Sequence, residues 1–333
     1  MKDFRSEKAL VRAFYDSLDA VDADLNSVME TFIAEVYLWR GFHPFNELTS
    51  GGNVATQFWQ PLRASLKHLQ RRQDIFMAGE NTLERGGTWV VSMGHLMGLF
   101  DEPWLGISPT GKMAFLRYCE FNCVKDGKIS ETAMFFDIPH LMIQAGQNPF
   151  PPQTGAHTIQ PGPICHTGLM FEPQDPAEGI RTLAAVDYMV NDIKTWKGGR
   201  EEPLVDELRR SWTEDMYWSG PAGIGATYTI ERYTQQHSGP FRASFKDRIF
   251  NGHICRMAEG RFGGFFGWPN LTLEPTGGFM GMPATKKPAD MRVIDIYSRR
   301  DDRLFENWIF IDLLHFWKQQ GLDVLGRLPT APD

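Results

Sequence analysis

The side chains in this chain best suited to moving a proton are His43, His95 and Glu120, with arginines and further acids close by in sequence. His95 stands in WVVSMGHLMGL, where strand alternation puts it on one side with Trp89, Val91, Met93 and Met97. One imidazole on an apolar face is either a core histidine with satisfied nitrogens or the polar group of a pocket wall. In the following run Arg117 and Glu120 are three apart, as are Arg292 and Asp295. The two members of each pair therefore face opposite sides of a flat strand unless a bulge intervenes. A carboxylate buried among aromatic rings has its pKa raised by desolvation, which suits proton transfer near neutrality. Arg117 or Arg261 would offset negative charge developing on a substrate. His43, in GFHPFNEL, is a second histidine for a pocket mouth, and Trp39 and Trp218 read as pocket walls or as core. Asp290, Arg292 and Asp295 form an acid–Arg–acid set of the kind that positions water.

Other polar residues have structural readings. Asp137 and Asp312 precede the final apolar run of each half, where an aspartate caps a helix by accepting from its free amides. His140 and His315 fall on those closing helices as interfacial or surface groups, and Glu131 and Glu306 follow hairpin turns. GGFFG at 263–267 lacks the spacing of a phosphate loop, and neither GxSxG nor HExxH occurs. Cys119, Cys123, Cys165 and Cys255 form no CxxC pair, so no zinc knuckle is expected.

The elements that must position these groups are duplicated. Residues 106–146 lie over 281–321 at a constant offset of 175, with Gly106/Gly281, Lys112/Lys287, Arg117/Arg292, Glu131/Glu306, Asp137/Asp312 and His140/His315 identical. PLRAS (61–65) matches PFRAS (240–244) at an offset of 179, and Trp39 falls on Trp218 at that same offset. GHLMGLF (94–100) is set against GRFGGFF (260–266), which places Arg261 opposite His95. Between the copies, 148–176 is rich in proline and reads as an irregular connector. Three segments follow: a first module over 1–147, a linker over 148–176 and a second module over 177–333. Each copy begins with a helix of spacing like Leu10, Val11, Phe14 and Leu18, then a second helix ending near Trp39 or Trp218. A short helical piece, a run of antiparallel strands and a closing helix complete it. That order makes an α+β module, a curved sheet wrapped around helices.

The whole chain has 333 residues, 42% of them hydrophobic and 23% charged, with a net charge of −7. This balance supports packed cores and argues against nucleic-acid binding, which needs clustered cations. No apolar window is long enough to span a membrane, the N-terminus is charged, and a cytoplasmic, reduced setting is expected.

GHLMGLF, the GISPTGK turn, the DGKISE hairpin and the D-x-x-x-L-x-x-QAG ending together resemble the SnoaL-like polyketide cyclases, within the nuclear transport factor 2-like and ketosteroid isomerase-like superfamily. The resemblance covers about 25–146 and, more loosely, the second copy. It implies two tandem cone-shaped α+β barrels forming a pseudo-dimer, open to higher assembly, each with an aromatic-lined pocket for a small hydrophobic molecule and no cofactor or metal. It also implies that His95 is a pocket histidine. The acid/base aspartate that the family carries after its PTG turn is absent from Met113-Ala114-Phe115, while Asp290 lies near the matching place in the second copy. The expected activity is cofactor-independent acid/base chemistry, a cyclisation, isomerisation or elimination on a small aromatic or cyclic carbonyl or hydroxyl compound. His95 would be the acid/base, His43 and Glu120 its partners, and the first copy the working one. The alternatives are hydrolysis of epoxide-hydrolase type through the second copy's acids, and a non-catalytic ligand-binding or assembly module.

Overall fold

The computed structural model describes residues 3–157, 161–197 and 199–328. The first sheet is built from β1 (Ile33–Gly41), β2 (Asn46–Thr49), β3 (Leu66–Glu80), β4 (Thr88–Phe100), β5 (Lys112–Lys125) and β6 (Lys128–Phe136), in the order β2-β1-β6-β5-β4-β3. The second comprises β7 (Trp212–Ser219), β8 (Ala226–Tyr228), β9 (Phe245–Phe250), β10 (Cys255–Glu259), β11 (Phe262–Pro275), β12 (Ala289–Arg300) and β13 (Arg303–Ile311). Its order is β10-β11-β12-β13-β7-β8, with β9 also paired to β11. The two orders are the same once β7 is set against β1. Both sheets are mixed rather than wholly antiparallel, because β1 runs parallel to β6 and β7 parallel to β13.

Helices α1 (Arg5–Asp19), α2 (Leu25–Phe32), α3 (Gly51–Val54), α4 (Gln60–Ser65) and α5 (Ile138–Gln144) accompany the first sheet. Those of the second are α6 (Pro176–Ile193), α7 (Leu204–Arg209), α8 (Ile230–Tyr233), α9 (Gly239–Ala243) and α10 (Leu313–Gln319). A single π-helical turn joins α3 to α4 (Ala55–Trp59) and α8 to α9 (Thr234–Ser238). Trp39 and Trp218 lie on strands β1 and β7, not at helix ends, since a β-branched and aromatic run such as IAEVYLW favours a pleated, half-buried strand. Helix α1 buries Val11, Phe14, Tyr15 and Leu18 inside the first sheet's curve, and α6 buries Val186, Met189 and Val190 inside the second.

The outer faces of the two sheets pack on each other. Trp89, Phe121 and Phe135 meet Phe266, and Arg117 lies over the Phe310 ring at 4.0 Å. The helix-capping aspartates lock this seam reciprocally. Asp137 accepts from His140 N on its own helix and, through Oδ2, from Ala222 N across the seam at 2.9 Å. Asp312 does the same for His315 N and for His43 N, at 3.0 Å. His43 and Ala222 differ by the same 179 as Trp39 and Trp218, so the contact obeys a pseudo-two-fold, as in an isologous dimer. A buried Lys8–Glu259 ion pair at 2.6 Å adds a further tie between the halves. No helix among the described residues is long and apolar enough to cross a membrane.

Candidate functional site

Inside the second sheet, beneath α6, lies a cavity of about 170 Å³. Trp212, Trp218 and Phe265 wall it, and Met189 and Val190 of α6 cover it. At its base β12 presents Asp295 and Tyr297, and β13 presents Asn307. Asp295 is buried, and its Oδ1 accepts from Asn307 Nδ2 at 3.0 Å. Burial pushes its carboxyl up to about 7, against the opposing pull of hydrogen bonds from Asn307 and Tyr297. Among the described residues no cation stands within ion-pair distance of it, which leaves desolvation in command. Burial likewise drives the Tyr297 and Tyr233 hydroxyls well above their usual range, so both stay protonated.

The π turn Thr234–Ser238 delivers His237 to the same cavity. Its ring stacks on Trp218 at 4.2 Å and 19°, burial pushes it down to about 3, and its buried Nδ1 has no hydrogen-bond partner among the described residues. It is therefore a neutral imidazole with a free ring nitrogen. Single π turns inside helices recur at functional sites because the extra residue redirects side chains. His253 stacks on Phe265 at 3.8 Å and is also held neutral, by burial and then by Arg256. Asn270 is committed to the backbone, accepting from Val293 N at 2.8 Å.

Residues at the same ladder positions of the first module make a different interior. Glu120 corresponds to Asp295, but Arg71 Nη1 donates to its Oε2 at 3.2 Å while Nε holds Asp19 at 2.9 Å. The guanidinium lies over Tyr15 at 4.0 Å and Tyr118 at 5.1 Å, so the space is filled by rings and a paired charge. Burial raises the Glu120 carboxyl and Arg71 pulls it back. The ladder identifies what stands at the Arg71 position in the second module. Arg71 pairs with Leu96 and Leu96 with Leu116; Phe250 pairs with Leu271 and Leu271 with Met291. Leu116 and Met291 are 175 apart, so Phe250 replaces Arg71 and Asp295 loses its cation.

The other sequence candidates are placed as follows. His95 and Arg117 face the seam between the sheets, not the first module's interior. His95 Nδ1 lies 3.7 Å from Asp74 Oδ2, the ring is edge-on to Phe115, and Nε2 is buried without a partner among the described residues. Arg117 donates to Ile309 O at 3.0 Å and Ser219 O at 3.1 Å. His43 is also at the seam, 6.5 Å from the His315 ring. Trp39 is core against Phe45 and Phe58, whereas Trp218 is a cavity wall. Arg261 does not correspond to His95: the ladder sets Gly94 and Gly267 opposite Tyr118 and Val293, 175 apart, so the correct offset there is 173. The His95 position is taken by a bulge at 268–270, and Arg261 sits exposed in the β10–β11 turn beside Glu178. Asp290 accepts from Thr272 Oγ1, and Arg292 stacks on Trp268 at 3.8 Å and reaches Asn46. Both point away from the cavity, so the acid–Arg–acid set does not converge with Asp295.

His237 was not singled out from the sequence, though a signal existed. At the offset of 179 Phe58 becomes His237 and Trp59 becomes Ser238, between Gln57/Gln236 and Pro61/Pro240 that do not change.

No family model matches the chain, and no curated protein does. Solved structures do match. A proposed SnoaL-like polyketide cyclase from Jannaschia sp. CCS1 is 21% identical, spans 45% of this chain and 95% of its own, and has a TM-score of 0.34. An NTF2-like protein from Burkholderia thailandensis E264 is 20% identical over 44% of this chain and 99% of its own, at 0.33. A proposed polyketide cyclase from Xanthomonas campestris pv. campestris is 17% identical over 43% and 98%, at 0.34. The chain's structural likenesses are thus SnoaL-like polyketide cyclases and NTF2-like proteins, each covering just under half of it, while the fold itself rests on the strand order described above.

Proposed function

We propose that the second module's cavity is a cofactor-independent acid/base site for a small, one-ring-sized carbonyl or hydroxyl compound, and that Asp295 is its base. The observation that carries this reading is a carboxyl deep among aromatic rings, raised to about 7 and without a cation partner among the described residues. At neutral pH such a group is part ionised and part protonated, so it can both take and return a proton. It would abstract a proton next to a carbonyl, and the electron pair would pass to the carbonyl oxygen. The protonated Tyr233 hydroxyl and neutral His237 are the groups available to hydrogen-bond that oxygen. Return of the proton at another atom is isomerisation; loss of a hydroxyl is elimination; attack of the enolate carbon within the same molecule is cyclisation.

Proton exchange tests this without knowledge of the natural substrate. Wild-type protein in D₂O should accelerate deuterium uptake at the α-carbon of one-ring aryl ketones such as 4-phenylbutan-2-one, followed by ¹H NMR. Asp295→Asn should lower the rate by about 10²–10⁴-fold. Equal rates in the two proteins, or no acceleration across such ketones, would remove the enzyme reading and leave a ligand-binding module.

A further inference from the structure

The cavity's mouth carries a charge that its interior does not use. Of the lining residues, Lys194 is exposed and Ile193, Arg248 and Phe250 are half-buried, whereas Asp295, Trp212 and Met291 are buried. An opening therefore lies at the end of α6 and along β9, where the exposed Lys194 stands, while Asp295 is buried at the base. Most cations around it are neutralised: Arg242 pairs with Glu207, Lys246 with Glu274, and Arg210 with Asp192 and Glu202. Arg248 and Lys194 have no carboxylate within ion-pair distance among the described residues. Arg248 is nevertheless held in place, with Nη2 donating to the carbonyls of Ile193 and Lys194 and the guanidinium over Trp196 at 4.6 Å. Nε and Nη1 make no hydrogen bond among those residues. Arg200 lies over the same ring at 4.9 Å, adding positive charge to the rim.

A pinned, unpaired guanidinium at the mouth of an aromatic cavity, in a chain of net charge −7, is an anion site in waiting. Burial, with Arg242 and Arg200 as like-charged neighbours, lowers the Arg248 pKa to about 10; an anion would reverse that strain. Asp295 at the far end would repel an anion placed there, which fixes the orientation: anionic group outward, reacting carbon inward. Resting on the acid/base reading above, we propose that the compound entering this cavity is an aromatic carboxylate, its carboxylate held at the rim by Arg248 and Lys194 and its ring among Trp212, Trp218 and Phe265.

Two isosteres decide the matter: 3-phenylpropanoate and 4-phenylbutan-2-one, titrated by ligand-observed NMR into the full chain at low salt. The acid is expected to bind wild type at least about tenfold more tightly than the ketone, and the gap should shrink as salt screens the rim. In the double variant Arg248→Gln/Lys194→Gln the preference should fall to within about twofold. Ketone affinity in that variant should be unchanged, which also shows that it has folded. Equal affinities in wild type, or a preference that survives the double variant, overturns the carboxylate site alone. Failure of both compounds to bind wild type overturns the cavity as a ligand site, and the rim with it.

Discussion

The two modules share a strand order but not an interior, and three exchanges account for the difference. Trp59 closes the first module's π turn where the second has Ser238, and Tyr118 occupies a ladder position held by Val293. Both changes remove a large ring, and a small side chain in place of a tryptophan or tyrosine leaves space that neighbours only partly refill. Arg71 is replaced by Phe250, which deletes the cation without deleting the acid. The first module thus becomes a solid core with a buried Arg71–Glu120–Asp19 network, and the second a hollow one with an uncompensated Asp295. A satisfied network rigidifies, while a lone buried acid is costly and chemically useful. Duplication lets one copy carry the scaffold while the other departs from it.

The largest expected effect comes from removing the first module's cation. Arg71→Phe leaves Glu120 buried and unpaired, and should destabilise the protein by about 3–5 kcal/mol in thermal or denaturant unfolding. The converse change, Phe250→Arg, gives Asp295 the partner it lacks. The apparent pKa of exchange activity, expected near 7 in wild type, should fall by about 1–3 units in that variant. Breaking the seam comes next: Asp137→Ala and Asp312→Ala each strip two buried backbone amides of their acceptor, at about 2–4 kcal/mol apiece. Similar losses from the two would confirm that the pseudo-two-fold is energetic as well as geometric.

Asp295→Asn has a stability signature of its own. The wild-type carboxyl rises from 3.8 unfolded to about 7 folded, so its contribution is fully present below about pH 4 and lost as pH climbs through 7. The variant should match wild type in melting temperature near pH 4, gain over it from there to pH 7, and stay level above, by at most about 4 kcal/mol. The smallest effect is expected from His95→Ala, which should change exchange activity by less than about twofold, because His95 faces the seam.

Much of this architecture was legible in the sequence. Identical residues at offsets of 175 and 179 announced the duplication, and the helix-capping role of Asp137 and Asp312 followed from their position before an apolar run. The opposite facing of Arg117 and Glu120 also followed from strand alternation. What alternation could not supply was which face looked inward. Trp89, Val91, Met93 and His95 make an apolar face, but it is buried by the other sheet rather than by the module's own helices, so His95 was expected in a pocket and lies at the seam. The bulge at 268–270 shifts the repeat's spacing by two residues, but it was the likeness of GHLMGLF to GRFGGFF, seven residues out of register, that set Arg261 against His95 wrongly. The hollow itself is a matter of side-chain volume, visible only when Trp59/Ser238 and Tyr118/Val293 are compared as pairs.

The most direct test of the central claim is a ¹³C NMR titration of the Asp295 carboxyl, assigned by its disappearance in Asp295→Asn. A midpoint near 7 is the expected result. A midpoint near 4 would mean that water or a cation reaches Asp295, and would contradict its role as a desolvated base in the second module's cavity.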